Sequence, residues 1–173
     1  MTNFKANLAN IKALVFDVDG VFTNSKVYLH PSGEMMRSMN IKDGYAIQHA
    51  VKQGIVVCII TGGTQENVKI RFEKLGVTDI YLGSAYKMDD FEDFMFKYSF
   101  QLNEVLYMGD DMPDLEIMQK VGVAACPNDA VHEIKELSQY ISDKSGGDGC
   151  VRDVIEQVLK LQDKWTTSDS VIW

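Results

Sequence analysis

Ala13-Leu14-Val15-Phe16-Asp17-Val18-Asp19-Gly20 is the stretch that decides the fold. Four apolar residues in a row end abruptly in two carboxylates and a glycine. A short continuous apolar run closed by polar residues and Gly is the pattern of a strand buried on both faces. The same pattern recurs along the chain. Residues 55–60 (IVVCII) stop at Thr61-Gly62-Gly63, Ile80-Tyr81-Leu82 stops at Gly83, and Val105-Leu106-Tyr107-Met108 stops at Gly109-Asp110-Asp111. Val121 to Ala125 gives a fifth run, closed by Pro127-Asn128.

Between the runs lie amphipathic stretches. Val68, Phe72 and Leu75 follow helical spacing, as do Phe91, Met95 and Tyr98, and near the end Val151, Ile155, Val158, Leu159 and Gln162. Strands alternating with helices predict a single α/β domain, doubly wound and Rossmann-like, with a parallel sheet and helices on both faces. At 173 residues and 46% hydrophobic, the chain is long enough for one core, expected over residues 1–164, with 165–173 as a tail whose Thr166 to Ser170 are polar and loose and whose Val171-Ile172-Trp173 are apolar enough to dock. Residues 25–40 (SKVYLHPSGEMMRSMN) break the rhythm. Two short strand-like pieces around Pro31-Ser32-Gly33 predict a β-hairpin inserted after the first strand, where a helix is due. Its Met35, Met36 and Met39 suit apolar packing or a subunit interface.

The formal net charge of -8 argues against a nucleic-acid binder, which needs a basic footprint. No run approaches the ~18 apolar residues of a membrane span, and Met1 to Lys5 lacks the apolar segment of a leader. Cys58, Cys126 and Cys150 are scattered and form no CxxC pair, which suits buried thiols in a reducing compartment. The expectation is a cytoplasmic protein. His30, His49 and His132 share no motif spacing and receive no catalytic role.

In open α/β sheets ligands bind beyond the carboxyl ends of the strands. That rim receives Asp17 and Asp19 after the first strand, Thr61 after the second, Lys87 after the third, and Asp110 and Asp111 after the fourth. One such Asp is as often a helix N-cap as a functional group. Several together repel each other unless a hard cation sits among them, and Mg2+ with one or two carboxylates and phosphate oxygens fits. A carboxylate also attacks phosphorus, giving an aspartyl-phosphate. That approach sets anion against anion, at about 4 kcal/mol per unit pair at ~4 Å and an effective dielectric near 20. A divalent ion and a lysine on the phosphoryl oxygens make it feasible.

Phe16-Asp17-Val18-Asp19-Gly20-Val21 resembles the first motif, DxDG(V/T), of the haloacid dehalogenase superfamily of phosphatases. Ile60-Thr61-Gly62 matches the second motif, Lys87 the third, and Gly109-Asp110-Asp111 with Asp114 the fourth. The resemblance implies Asp17 as nucleophile and Asp19 as general acid and then base, with Thr61 and Lys87 on the phosphoryl oxygens. It implies Mg2+ held by Asp17, Asp110 and the backbone carbonyl of Asp19, with Asp111 and Asp114 in or near the next layer. Backbone N–H groups of Val18 to Val21 offer a phosphate cradle.

Members usually carry a cap domain between these motifs, and the gaps here have no room for one. Among capless members the chain is most similar to the 3-deoxy-manno-octulosonate 8-phosphate phosphatases. They share the Gly33-Glu34 hairpin turn, Lys42-Asp43-Gly44-Tyr45 and Gly146-Gly147-Asp148-Gly149-Cys150-Val151-Arg152-Asp153. That resemblance implies a small phosphorylated sugar acid as substrate and a role in lipopolysaccharide synthesis. It also implies a homotetramer in which hairpins meet and neighbouring subunits, with the glycine-rich segment, roof each active site. Gly62 would touch the substrate. There are two departures from the group: Asn24 stands where Asp is common, and Gly63 where Thr-Gly is often followed by Arg. A cation for the sugar's carboxylate is thus missing at 63, and Arg71 and Lys74 are the replacements expected across a subunit interface. Relatives acting on nine-carbon acids typically carry Glu after Thr-Gly, so Gly63 favours the eight-carbon acid over the nine-carbon alternative. The other alternative, an inactive regulatory relative, has no need of Asp17, Asp19, Lys87 and Asp110 together.

Overall fold

The computed structural model describes residues 4–172. A short helix α1 (Phe4–Ala9) leads into β1 (Ala13–Phe16), then a hairpin of β2 (Tyr28–Leu29) and β3 (Met35–Met36). There follow α2 (Ile41–Lys52), β4 (Val56–Thr61), α3 (Glu66–Glu73), β5 (Asp79–Leu82), α4 (Lys87–Tyr98) and β6 (Val105–Met108). The chain continues through α5 (Leu115–Met118), β7 (Val123–Cys126), α6 (His132–Leu137), β8 (Tyr140–Ile141) and α7 (Cys150–Leu161). Six strands form one parallel sheet in the order β5-β4-β1-β6-β7-β8.

Strand periodicity sorts the apolar runs into two cores. Leu14 and Phe16 face one layer and Ala13 and Val15 the other; Leu106 and Met108 oppose Val105 and Tyr107 in the same way. The first layer is closed by α1, α2, α3 and α7 (Leu8, Ile47, Phe72, Val154) and the second by α4, α5 and α6 (Phe91, Phe94, Ile117, Ile134). A strand covered on both sides needs no polar face, which is why these runs are continuously apolar.

Chain order makes β1 the pivot. From β1 the chain builds outward through β4 and β5 on one side, then returns to lay β6, β7 and β8 on the other. The loops after β1 and β6 therefore diverge and leave a crevice between them, the topological switch point where open α/β sheets bind ligands. The five predicted strands are present, and β8 is a sixth that the sequence reading misses. Two residues, Tyr140 and Ile141, are too few for a pattern, and pairing with Ala125 and Cys126 defines them.

The inserted hairpin is present, and among the described residues no cap domain stands over the sheet rim. It pairs only Tyr28 with Met36 and Leu29 with Met35, and all four are exposed. Met35 and Met36 are both exposed; of the three hairpin methionines Met39 alone packs against the core. The tail is seated rather than loose. Trp165 stands edge-on to His49 and Tyr45 of α2, the Tyr45 hydroxyl donates to Ser170 O, and Lys52 Nζ donates to Ile172 O at 3.0 Å. Trp173 lies outside the described residues.

Candidate active site

Asp17 is the first residue past β1, and its N–H still bonds to Met108 O of β6 at 3.0 Å, so the ladder holds its backbone. The chain then turns tightly, with the N–H groups of Val21, Phe22 and Thr23 all directed to Val18 O and Gly20 N–H donating to Thr23 Oγ1 at 3.2 Å. Gly20 and Val21 N–H groups are therefore occupied inside the loop, and the phosphate cradle foreseen over residues 18–21 is narrower than expected. Gly20 has φ +94°, and a Cβ there would fall 1.9 Å from Asp110 Oδ2. The glycine of the first motif thus lets the loops after β1 and β6 come together.

Lys87 opens α4 and reaches into the crevice. Its ammonium lies 2.8 Å from Asp17 Oδ1 and 2.7 Å from Asp114 Oδ1, with its side chain 7% exposed. Asp114 is completely buried. Its Oδ1 also accepts the Tyr107 hydroxyl at 2.6 Å and its Oδ2 the Asp110 N–H at 3.1 Å. Each oxygen of Asp114 is already engaged. Asp110 differs: its Oδ1 is buried and has no partner among the described residues.

The side chains of Asp17, Asp110 and Asp114 each bring an oxygen within 4.8 Å of the others. Burial, then the charge of Asp114, pushes the Asp17 carboxyl up to about 7, against the pull of Lys87. Burial, then Asp17 and Asp114, pushes Asp110 up to about 8. For Lys87, burial disfavours the ammonium, but Asp17 and Asp114 outweigh it and hold it above the ordinary lysine range. Two buried carboxylates and one partly buried carboxylate around one ammonium lack positive charge, and the unpartnered Asp110 oxygen marks where it is lacking. The donor set, all hard oxygens, fits a small divalent cation. Its open side chains are Asp17 and Asp110, whereas Asp114 is a buttress.

Thr61 ends β4, is buried, and accepts Gly63 N–H at 3.1 Å. The loops after β4 and β5 are tied together by Ser84 N–H to Thr61 O at 3.0 Å and Gly83 N–H to Gly63 O at 2.9 Å. Asp17, Asp19, Thr61, Gly62, Lys87 and Asp110 all line one cleft of about 700 Å³. Arg71 and Lys74 do not. Arg71 packs over Gly44, where a Cβ would meet its Nη2 at 2.3 Å, and Lys74 is exposed at the end of α3.

Sequence reasoning passes over Arg37. It follows β3, and its guanidinium forks onto Asp19, Nε to Oδ1 at 2.5 Å and Nη2 to Oδ2 at 2.8 Å, while Nη1 donates to Gln65 Oε1 at 2.9 Å. Its only signal in the sequence is that it is the hairpin's one arginine. The glycine-rich segment is likewise tied to its own chain: Gly147 N–H donates to Val21 O at 3.0 Å, and Gly146 has Gly20 O so close that a Cβ would fall 1.9 Å away. Asp43 of the Lys42-Asp43-Gly44-Tyr45 motif accepts Arg152 N–H at 2.7 Å and so caps the first turn of α7.

An open parallel sheet with a carboxylate, a lysine and a cation-seeking carboxylate pair at its switch point defines a hydrolase of phosphate monoesters. Residues 77–154 match the family model described as haloacid dehalogenase-like hydrolase, and the chain belongs to this family, in its capless form. More particularly, it is 36% identical to the 3-deoxy-D-manno-octulosonate 8-phosphate phosphatase KdsC of Escherichia coli K12, over 92% of this chain and 85% of that one. The crystal structure of the 3-deoxy-D-manno-octulosonate 8-phosphate phosphatase from Yersinia pestis superimposes with a TM-score of 0.90 at 33% identity, covering 92% of this chain and 86% of that one. The Moraxella catarrhalis phosphatase of the same name, in complex with magnesium, phosphate and KDO, gives a TM-score of 0.89 at 30% identity, covering 92% and 91%.

Proposed function

We propose that this enzyme hydrolyses 3-deoxy-D-manno-octulosonate 8-phosphate to the free sugar acid and phosphate, through an aspartyl-phosphate on Asp17. The observation that carries the reading is the Asp17 carboxylate, fixed by the β1–β6 ladder, with Lys87 2.8 Å from one of its oxygens. The similarity to enzymes of that name supports the substrate.

Mg2+ is the cofactor, with Asp17 and Asp110 as its side-chain ligands; it neutralises phosphoryl charge and so lets a carboxylate approach a phosphate dianion. Asp17 attacks phosphorus, forming the O–P bond as the sugar C8–O–P linkage breaks. Lys87 balances charge on the phosphoryl oxygens, helped by the Thr61 hydroxyl. Asp19 stands two residues from the nucleophile on the cleft wall, held as a carboxylate by the Arg37 fork. Once that fork opens and Asp19 takes up a proton, it gives the proton to the departing alkoxide and then takes one from the water that opens the acyl-phosphate. Asp114 and Tyr107 keep Lys87 aimed at Asp17, and their hydrogen bonds carry no proton in the reaction.

Without a cap the cleft is open, and the resemblance supplies its cover as a homotetramer in the cytoplasm. The hairpin supports this, since Tyr28, Leu29, Met35 and Met36 expose apolar surface on a ladder too short to stand alone. In that assembly Arg71 and Lys74 serve a neighbour's cleft. The test is phosphate release from the eight-carbon ester with Mg2+, in the wild type and in Asp17→Asn. Release should vanish in the variant; substantial remaining turnover would rule out the covalent route. Equal efficiency on the nine-carbon 9-phosphate would remove the argument from Gly63, and an active monomer in sedimentation would remove the tetramer.

A further inference from the structure

We propose that Asp129 is a positioning residue of the Mg2+ site: from the loop after β7 it holds the glycine-rich segment against the nucleophile loop and Asp110. The proposal rests on the reading of Asp17 and Asp110 as the ligands of Mg2+, and it adds a residue that keeps them in place. Six aspartates line the cleft, and Asp129 is the one that belongs to none of the four motifs. Its Oδ1 accepts Gly146 N–H at 2.8 Å. Two residues on, Val131 N–H donates to Asp110 O at 3.0 Å, so the same loop also grips the backbone of a metal-side aspartate directly.

Contact passes from Asp129 to the carboxylates through two glycines. Gly146 lies so close to Gly20 that a Cβ on it would fall 1.9 Å from Gly20 O. Gly20 in turn lies so close to Asp110 that a Cβ there would fall 1.9 Å from Asp110 Oδ2. Gly146, Gly20 and the Asp110 carboxylate are thus stacked in direct contact, and Asp129 fixes the first member. The following residues hold the same loop, since Gly147 N–H and the Cys150 thiol both donate to Val21 O, at 3.0 and 3.2 Å. A glycine segment has no side chains to fix it and much backbone freedom to lose. Among the described residues Asp129 is the one side chain bonded to Gly146, and a carboxylate on a backbone N–H is a charge-assisted bond. Mg2+ demands near-ideal octahedral geometry, so a small displacement of Gly20 or Asp110 appears as lost metal affinity. Groups that orient metal ligands from behind typically contribute roughly 10- to 100-fold.

The test is calorimetric titration of Mg2+ into metal-free protein without substrate, with the Mg2+ dependence of phosphate release as a second readout. Asp129→Asn and Asp129→Ala remove the same charge from the cleft, but only asparagine keeps an oxygen for Gly146 N–H. Asp129 is exposed, so both variants should melt cooperatively. The asparagine variant should bind Mg2+ nearly as the wild type does, because a single exposed charge is screened by solvent. The alanine variant should bind Mg2+ roughly tenfold or more weakly than the asparagine variant, and need correspondingly more Mg2+ for half-maximal phosphate release. Asp129→Ala combined with Gly146→Ala should lose less than the two single losses together, since both act through one displacement. Alanine and asparagine variants of equal Mg2+ affinity overturn the proposal: if both match the wild type the bond is idle, and if both are weak Asp129 acts by its charge. A wild type that binds no Mg2+, or whose binding survives in Asp110→Asn, overturns the reading of the metal site itself.

Discussion

Metal-free protein should lose stability as pH rises, and Mg2+ should abolish the loss. The argument begins at Asp17 and Asp110, whose carboxyls are raised from 3.8 to about 7 and about 8, first by burial and then by neighbouring carboxylates, Asp114 for Asp17 and Asp17 with Asp114 for Asp110. Between about pH 4 and 8 the native state therefore holds protons that the unfolded chain has released. Stability changes with pH as the protons bound by the unfolded state minus those bound by the native state, here a negative number. The stabilisation is complete below the unfolded value and disappears as pH rises through the folded ones. At about 1.4 kcal/mol per pH unit and per proton, one proton held by the pair amounts to about 3 kcal/mol between pH 5 and 8. Mg2+ binds the deprotonated pair, and at a hundredfold excess over its dissociation constant adds about 2.7 kcal/mol.

Urea unfolding at pH 5, 6, 7 and 8, with EDTA or with Mg2+, measures both effects. The metal-free midpoint should fall across the series and the Mg2+ midpoint should hold level. Asp110→Asn sharpens the test, because removing one of the crowded charges should stabilise the metal-free protein at pH 8 by about 1–2 kcal/mol while abolishing the Mg2+ response. A metal-free midpoint that stays flat or climbs from pH 5 to 8, or an Asp110→Asn variant weaker than wild type at pH 8, would refute the reasoning.

Three further outcomes follow from the same geometry. Lys87→Met leaves Asp17 and Asp114 buried without their counter-ion, so urea unfolding at pH 8 should show a loss of about 3–5 kcal/mol and phosphate release should be abolished. Tyr107→Phe removes the 2.6 Å hydrogen bond to Asp114 without opening a cavity; calorimetry should register about 1–3 kcal/mol, with turnover reduced but present. Gly146→Ala pushes a methyl against Gly20 O and so displaces the nucleophile loop. Phosphate release should fall by roughly tenfold or more, since misplacing reacting groups by about 1 Å has effects of that size, while a circular dichroism melt remains cooperative.

Much of the site was legible because its residues sit at chain positions that the strand pattern defines. Ala13 to Phe16 has to be a buried strand, so Asp17 has to lie at its carboxyl end, and the same logic delivers Thr61, Lys87 and Asp110. Arg37 was not legible, because the hairpin's path over the rim depends on what it leans against and no local pattern encodes it. The displacement of Arg71 has the same cause: its helix was predicted, but its packing over Gly44 is a contact between distant segments. Gly146 and Gly147 read as part of a roof, and their close fit against Gly20 and Asn24 appears only when residues more than a hundred apart in sequence meet.

Local order along the chain thus determined the sheet, its rim and the residues on that rim, because strand and helix periods are short-range properties of apolar placement. Only the tertiary structure decided how those residues share their charges. It bound Asp114 to Lys87 and Tyr107, left one oxygen of Asp110 bare, and set Arg37 on Asp19, because each outcome depends on burial and on partners from elements far apart in the chain.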